Sequence, residues 1–214
     1  MGMATAASDL DITVLLAGPP APYRESLHYQ DWPVELFVQT DQSLHHFFAA
    51  ERKRGRPNTL RLIGAATVLV DNDGSGIRLH DWCARQLAAG PEALTDEKIR
   101  TARYGITDLL GDLTATDEPD ERLMIASMLW HSTIELLLSG HRHWTGRGKW
   151  LHRELAAFDH ETGTNYTQTL AESMRSVAAG STEPMVAAVT HILDLFGGPL
   201  FDGFRLRGPD ADSH

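Results

Sequence analysis

The strongest constraint on the fold is a pair of acids at the start of an apolar run near the N-terminus. Asp9 and Asp11 flank Leu10, and the chain continues as the apolar segment 12–16. Side chains alternate across a β-strand, so the two carboxylates project from one face and repel each other. A divalent cation held by oxygen ligands relieves such repulsion. The segment therefore predicts a strand that begins at a candidate metal site.

A second apolar run, residues 32–38, contributes a third acid. It is typical of a strand, and Glu35 stands among its apolar residues. Three carboxylates on two neighbouring strands would form a Mg²⁺ site suited to phosphate chemistry. The alternative is that Asp9 and Asp11 are a charged strand start and that Glu35 faces solvent, because the Asp-x-Asp pattern is common.

The pattern changes character once along the chain, near Cys83. Before that point it predicts two strands separated by a Gly-Pro-Pro loop over residues 18–22, followed by a helix capped near Thr40. Residues 66–70 are rich in apolar and β-branched side chains, which predicts a third, buried strand that ends in the turn 71–74. This first part is therefore expected to be a small mixed sheet with helical connections.

From Ile77 onward the apolar periodicity is helical. One helix is expected after the Thr95 cap, and residues 123–138 are apolar on most sides, as the central helix of a bundle would be. Further helices are expected around residues 150–158, 167–179 and 184–196. The prediction is an α+β fold with a small mixed-sheet domain over residues 1–83, a C-terminal helical bundle over 84–208 and a flexible tail over 209–214.

Charge and cysteine content indicate which partners and which cellular compartment to expect. The formal net charge of -10 argues against a nucleic-acid-binding surface, which is normally basic, and fits a small cationic substrate better. The single Cys83 cannot form an internal disulfide, so a reducing cytoplasm is the simplest setting. Neither a signal peptide nor an apolar run of membrane-spanning length is expected. We therefore predict a cytoplasmic protein that binds neither nucleic acid nor membrane.

Residues 2–11, Gly-Met-Ala-Thr-Ala-Ala-Ser-Asp-Leu-Asp, resemble the second half of the nucleotidyltransferase signature of the DNA polymerase β superfamily. The resemblance points to bacterial small-molecule nucleotidyltransferases, such as the kanamycin and lincosamide enzymes, and extends over roughly the whole chain. It implies a nucleotidyltransferase domain in which Asp9, Asp11 and Glu35 bind Mg²⁺ and Ser8 contacts the nucleotide. It also implies ATP as co-substrate and a small-molecule hydroxyl, such as that of an aminoglycoside antibiotic, as acceptor.

The resemblance also implies roles for residues in the helical half. In these enzymes an acid from the helical domain is the general base, and Glu135 is the candidate here. The alternatives are Glu35 or Glu154 as the base, or a salt-bridged core role for Glu135. Lys149 resembles the glycine-flanked lysine of these domains and would contact the triphosphate. Its alternative role is that of a lysine at a helix N-terminus beside an anchoring tryptophan.

The Gly-Ser half of the signature would precede Gly2, and the sequence begins at Met1. Two explanations compete: a start codon assigned too late, or a truncation that leaves a catalytically impaired, nucleotidyltransferase-like binding protein or antitoxin. We expect the first, because losing the first helix of such a fold would expose part of the sheet. An exposed sheet edge would also favour a homodimer.

Overall fold

The structure is a computed structural model that describes residues 8–206 and residue 208. Within these residues the chain is α+β, with three strands followed by eight helices. The chain forms two compact units, and the boundary between them lies between Pro91 and Glu92. The boundary predicted after residue 83 lies earlier, inside a helix that continues without interruption to Ala89.

The first unit is a three-stranded mixed sheet followed by three helices. Its elements are β1 (Leu10–Leu15), β2 (Tyr23–Tyr29), β3 (Trp32–Gln39), α1 (Asp41–Arg54), α2 (Asn58–Gly64) and α3 (Ser75–Ala89). The strand order is β1-β3-β2, and β3 is parallel to β1 and antiparallel to β2. The two strands predicted from the acidic segments are therefore confirmed as neighbours.

Strand β2 is an element that the sequence pattern does not predict. It forms a hairpin with β3 through a two-residue turn at Gln30 and Asp31, which both have positive φ. Turns of this kind favour Asn-Gly or Asp-Gly, so the Gln-Asp pair is a weak hairpin signal. The segment after the proline-rich loop consequently looks like irregular chain until its pairing with β3 is known.

The prediction of a buried strand over residues 66–70 is wrong. In the structure this segment has no regular secondary structure, and Leu69 and Val70 are 81% and 78% exposed. A β-prone composition forms a strand only where the segment pairs with a neighbouring strand, and the described sheet consists of β1, β3 and β2.

Helix α1 begins as predicted, with Thr40 and Ser43 forming a capping box. Its Glu51 is only 2% exposed. The Glu51 carboxylate accepts hydrogen bonds from the backbone N–H groups of Thr59 and Leu60, at 2.7 and 3.1 Å. These groups lie at the start of α2, which has no side-chain cap of its own. Glu51 therefore replaces that cap and joins α1 to α2.

Cys83 lies in the core of this unit. Burial, with a smaller contribution from Glu51, raises the pKa of its thiol to about 12. A thiol with this pKa holds very little reactive thiolate near neutral pH. We expect Cys83 to resist Ellman's reagent in the folded protein and to react fully in denaturant. Fast labelling of the folded protein would contradict this burial.

The second unit contains five helices with α5 at its centre. They are α4 (Asp96–Ala115), α5 (Pro119–Gly140), α6 (Lys149–Thr162), α7 (Tyr166–Ala178) and α8 (Glu183–Asp194). Helix α5 contacts each of the other four and contributes residues to both apolar clusters of the unit. The predicted central bundle helix is therefore confirmed.

Among the described helices, α5 is long and apolar enough to cross a membrane by length and composition. The expectation that no apolar run reaches this length is therefore wrong. In the structure Leu129, Ile134 and Leu137 of α5 are fully buried. Burial of this kind is typical of the core helix of a helical bundle.

Asp159 joins the end of α6 to the start of α7. It accepts hydrogen bonds from the backbone N–H groups of Tyr166 and Thr167 and from Thr164 Oγ1, all within 2.9 Å. Burial acts to raise the pKa of Asp159, but these hydrogen bonds outweigh it, so its pKa lies below the ordinary value of 3.8. The ionised carboxylate is thus the form that stabilises the junction.

We expect Asp159→Asn to lower the free energy of unfolding by about 1 kcal/mol near neutral pH, as loss of a partly exposed helix cap does. Because the folded pKa is lowered, the stabilisation is present above the unfolded pKa and is lost as the pH falls through the folded pKa. Urea denaturation of both proteins at neutral and at strongly acidic pH measures this. An equal difference at both pH values would contradict a role for the carboxylate charge.

Candidate metal centre

Three carboxylates converge at the start of β1. One ligand oxygen from each of Asp9, Asp11 and Glu35 lies within 4.8 Å of the other two. Strand β1 runs parallel to β3 with Asp11 in register with Glu35, and Asp9 precedes Asp11 by two residues, on the same face. Asp9 and Asp11 are exposed and Glu35 is half-buried. The structure thus brings together all three acids that the sequence singles out.

This set of donors fits a hard divalent cation. Mg²⁺ binds carboxylate oxygens at about 2.1 Å, so oxygens on opposite sides of the ion stand about 4.2 Å apart. The oxygens here lie within 4.8 Å of one another. The cluster is therefore compatible with the predicted Mg²⁺ and with its oxygen-only chemistry.

Strand β2 adds a guanidinium group that the sequence pattern does not identify. Arg24 Nη2 lies 2.7 Å from both Glu35 Oε1 and Glu35 Oε2. Across the hairpin Ser26 pairs with Glu35 and Arg24 pairs with Phe37, so Arg24 reaches Glu35 along the diagonal. Ser26 Oγ donates a longer hydrogen bond of 3.4 Å to Glu35. The side-chain alternation along β2 identifies Arg24 and Ser26 as neighbours of Glu35 only once the β2–β3 hairpin is known.

The ion pair between Arg24 and Glu35 is partly exposed. The Arg24 side chain is 60% exposed and that of Glu35 is 25% exposed, so water screens their attraction.

Ser8, the predicted nucleotide contact, precedes Asp9 and is half-buried outside β1. The rest of the motif, residues 2–7, lies outside the described residues.

Glu135, the predicted base, lies on α5 in the second unit. His131 Nε2 is 3.3 Å from its Oε1, and the Glu135 side chain is 32% exposed. Glu135 also borders a groove of about 510 Å³ between α4 and α5, together with Lys98, Asp108 and Ser132. The volume falls within the usual range of small-molecule sites. Glu135 therefore has a histidine neighbour and a position on a groove of small-molecule size.

Lys149, the predicted phosphate contact, is the first residue of α6 and is exposed. The preceding Gly148 has positive φ and gives the helix no side-chain cap. A Cβ at Gly146 would lie 2.7 Å from the backbone of Trp150, so this glycine permits the close approach of the loop to α6. Glu154, the alternative base, is half-buried on the same helix.

No known protein family and no curated protein matches this chain. Solved structures include the crystal structure of a nucleotidyltransferase-like protein from Exiguobacterium sibiricum, to which this chain is similar with a TM-score of 0.47 and 12% identity. The similarity covers 86% of this chain and 61% of that protein, so the chain spans less than two thirds of its length. At this TM-score and identity the similarity does not identify an activity.

Proposed function

We propose that the protein is a Mg²⁺-dependent nucleotidyltransferase that moves AMP from ATP to a hydroxyl group of a small molecule. The observation that supports this most strongly is the meeting of Asp9, Asp11 and Glu35 within 4.8 Å on two parallel strands. The Ser-Asp-Leu-Asp segment that supplies two of these acids also resembles the nucleotidyltransferase signature. Position and motif therefore support the same chemistry.

Mg²⁺ would neutralise the charge that develops on the transferred phosphoryl group. In this proposal the three carboxylates hold the ion, and Ser8 and Lys149 contact the nucleotide. Glu135 accepts the proton of the acceptor hydroxyl, whose oxygen then bonds to the α-phosphorus as pyrophosphate leaves. These roles of Ser8, Lys149 and Glu135 come from the family resemblance.

The proposed acceptor is a small cationic molecule, with aminoglycoside or lincosamide antibiotics as the class that the resemblance suggests. The net charge of -10 and the acids that border the α4–α5 groove support a cationic ligand.

A cytoplasmic location stays a prediction. A homodimer also stays a proposal, supported by the position of β1 at the edge of the described sheet.

Isothermal titration of a non-hydrolysable ATP analogue tests the proposal. We expect binding to the wild-type chain in Mg²⁺, none in excess EDTA, and none by the Asp9→Ala/Asp11→Ala variant. Circular dichroism would check that the variant remains folded. Failure of the wild-type chain to bind in Mg²⁺ would contradict the proposed function and favour the non-catalytic binding or antitoxin alternative.

The proposed base makes a separate prediction. We expect Glu135→Gln to lower kcat about a hundredfold, because general-base catalysis contributes roughly that much or more, while KM for ATP stays the same. Asp108→Asn is the matched control, since Asp108 borders the same groove without a proposed role in proton transfer. Pyrophosphate release in the presence of an acceptor measures both. Wild-type turnover in Glu135→Gln would assign the base elsewhere.

A further inference from the structure

We propose that Arg24 has two successive partners: it holds Glu35 while the cluster lacks a metal ion, and it binds the nucleotide phosphates once the ion takes Glu35. This inference rests on the proposed function and deepens it. It assigns a phosphate-binding role to a residue of β2, outside the sequence motif.

The contact between Arg24 and Glu35 occupies the atoms that a metal ion needs. A single nitrogen, Nη2, stands 2.7 Å from each of the two Glu35 oxygens. An ion that joins Asp9, Asp11 and Glu35 must take at least one of these oxygens. The ion and the Arg24 guanidinium would then be two positive charges on one carboxylate, so binding of the ion weakens the Arg24–Glu35 ion pair.

Arg24 has the means to bind a second anion when this happens. Its contacts with Glu35 use one of the three guanidinium nitrogens, and its side chain is 60% exposed. A guanidinium group carries five N–H donors in a planar fork that matches phosphate oxygens. The nucleotide phosphates that accompany the ion are anions of this kind.

The surroundings of Arg24 keep the guanidinium near the cluster even without Glu35. The guanidinium carbon lies 4.9 Å from the centre of the Phe37 ring, a cation–π contact. Phe37 and Glu35 are two residues apart on β3, on the same face of the sheet, and Arg24 pairs with Phe37 across the hairpin. The strand pairing thus holds Arg24 beside the site in both states.

The proposal predicts changes of opposite sign when Arg24 is replaced. In Arg24→Gln the competing cation is gone, so the metal alone should bind about fivefold more tightly. In saturating metal the same variant lacks a phosphate contact, so the ATP analogue should bind about tenfold more weakly. A residue that only supports the sheet would weaken both equilibria or neither.

The test is calorimetric titration of the full chain with Mn²⁺ alone, which takes the same oxygen ligands as Mg²⁺, and then with the ATP analogue in saturating Mn²⁺. Arg24→Gln is compared with Arg24→Lys, which keeps the charge and loses the fork. Arg85→Gln is the matched control, because Arg85 is an exposed arginine on α3 of the same unit. Ionic strength is held constant, and circular dichroism confirms folding.

The outcomes separate this inference from the proposed function. Tighter Mn²⁺ binding with weaker analogue binding in Arg24→Gln, and wild-type values in Arg85→Gln, support it. If the wild type binds Mn²⁺ through the carboxylates and Arg24→Gln binds it equally well or more weakly, the inference about Arg24 is overturned. The proposed function then still stands. Absence of Mn²⁺ binding in both the wild type and Arg24→Gln would overturn both. If Arg24→Gln does not fold, Arg24→Lys decides: an analogue affinity equal to that of the wild type overturns the phosphate role.

Discussion

Replacement of Asp11 by asparagine is expected to slow nucleotidyl transfer about a thousandfold, since stabilisation of charge by a metal is worth several kcal/mol of activation free energy. Asparagine keeps the size of the side chain and one oxygen but removes the charge. Asp11 would be the central ligand of the proposed site, because it stands in register with Glu35 and two residues from Asp9. Pyrophosphate release from ATP, measured with a panel of hydroxyl-bearing acceptors, reports the rate.

The matched control for this prediction is Glu25→Gln. Glu25 is exposed on β2 and pairs with Leu36 across the hairpin, which puts it on the opposite face of the sheet from Glu35. We expect the wild-type rate from this variant. Both substitutions are at exposed positions and should change the free energy of unfolding by no more than about 0.5 kcal/mol. An Asp11→Asn protein with nearly full activity would contradict a metal role for Asp11.

The acidic cluster could be predicted from the sequence because its signals are local. The Asp-x-Asp spacing and the apolar run after it predict a strand and a shared face within a few residues of chain. To place Glu35 beside these two acids, the prediction also needs β1 to pair with β3, which the two apolar runs suggest. The helices α4 and α5 were similarly accessible, since a threonine cap marks the first and continuous apolar composition the second.

The features that escaped prediction depend on contacts between distant parts of the chain. Arg24 becomes a neighbour of Glu35 only through the β2–β3 hairpin, whose Gln-Asp turn carries a weak signal. Residues 66–70 have the composition of a strand, but they pair with none of the three strands of the described sheet. In each case strand pairing decides the outcome, and the sequence of the segment alone does not contain that pairing.

Glu51 is the clearest case of a residue whose role only the structure reveals. In sequence it is one charged residue at the end of a helix, next to the basic run 52–56. In the structure it is buried and accepts hydrogen bonds from the first N–H groups of α2, a helix of seven residues that the sequence pattern does not predict. An acid this deeply buried must be satisfied by such donors.

We therefore expect Glu51→Ala to lower the free energy of unfolding by about 3 kcal/mol, because it leaves the N–H groups of Thr59 and Leu60 without their acceptor inside the unit. Glu51→Gln keeps one acceptor oxygen and should lose about half as much. Urea denaturation followed by tryptophan fluorescence measures both, and Trp82, whose ring lies 4.9 Å from that of Phe48, reports on the same unit. Glu25→Ala makes the same change at an exposed site and should leave the stability almost unchanged. A loss in Glu51→Ala no larger than in this control would show that α2 is held by its apolar contacts alone.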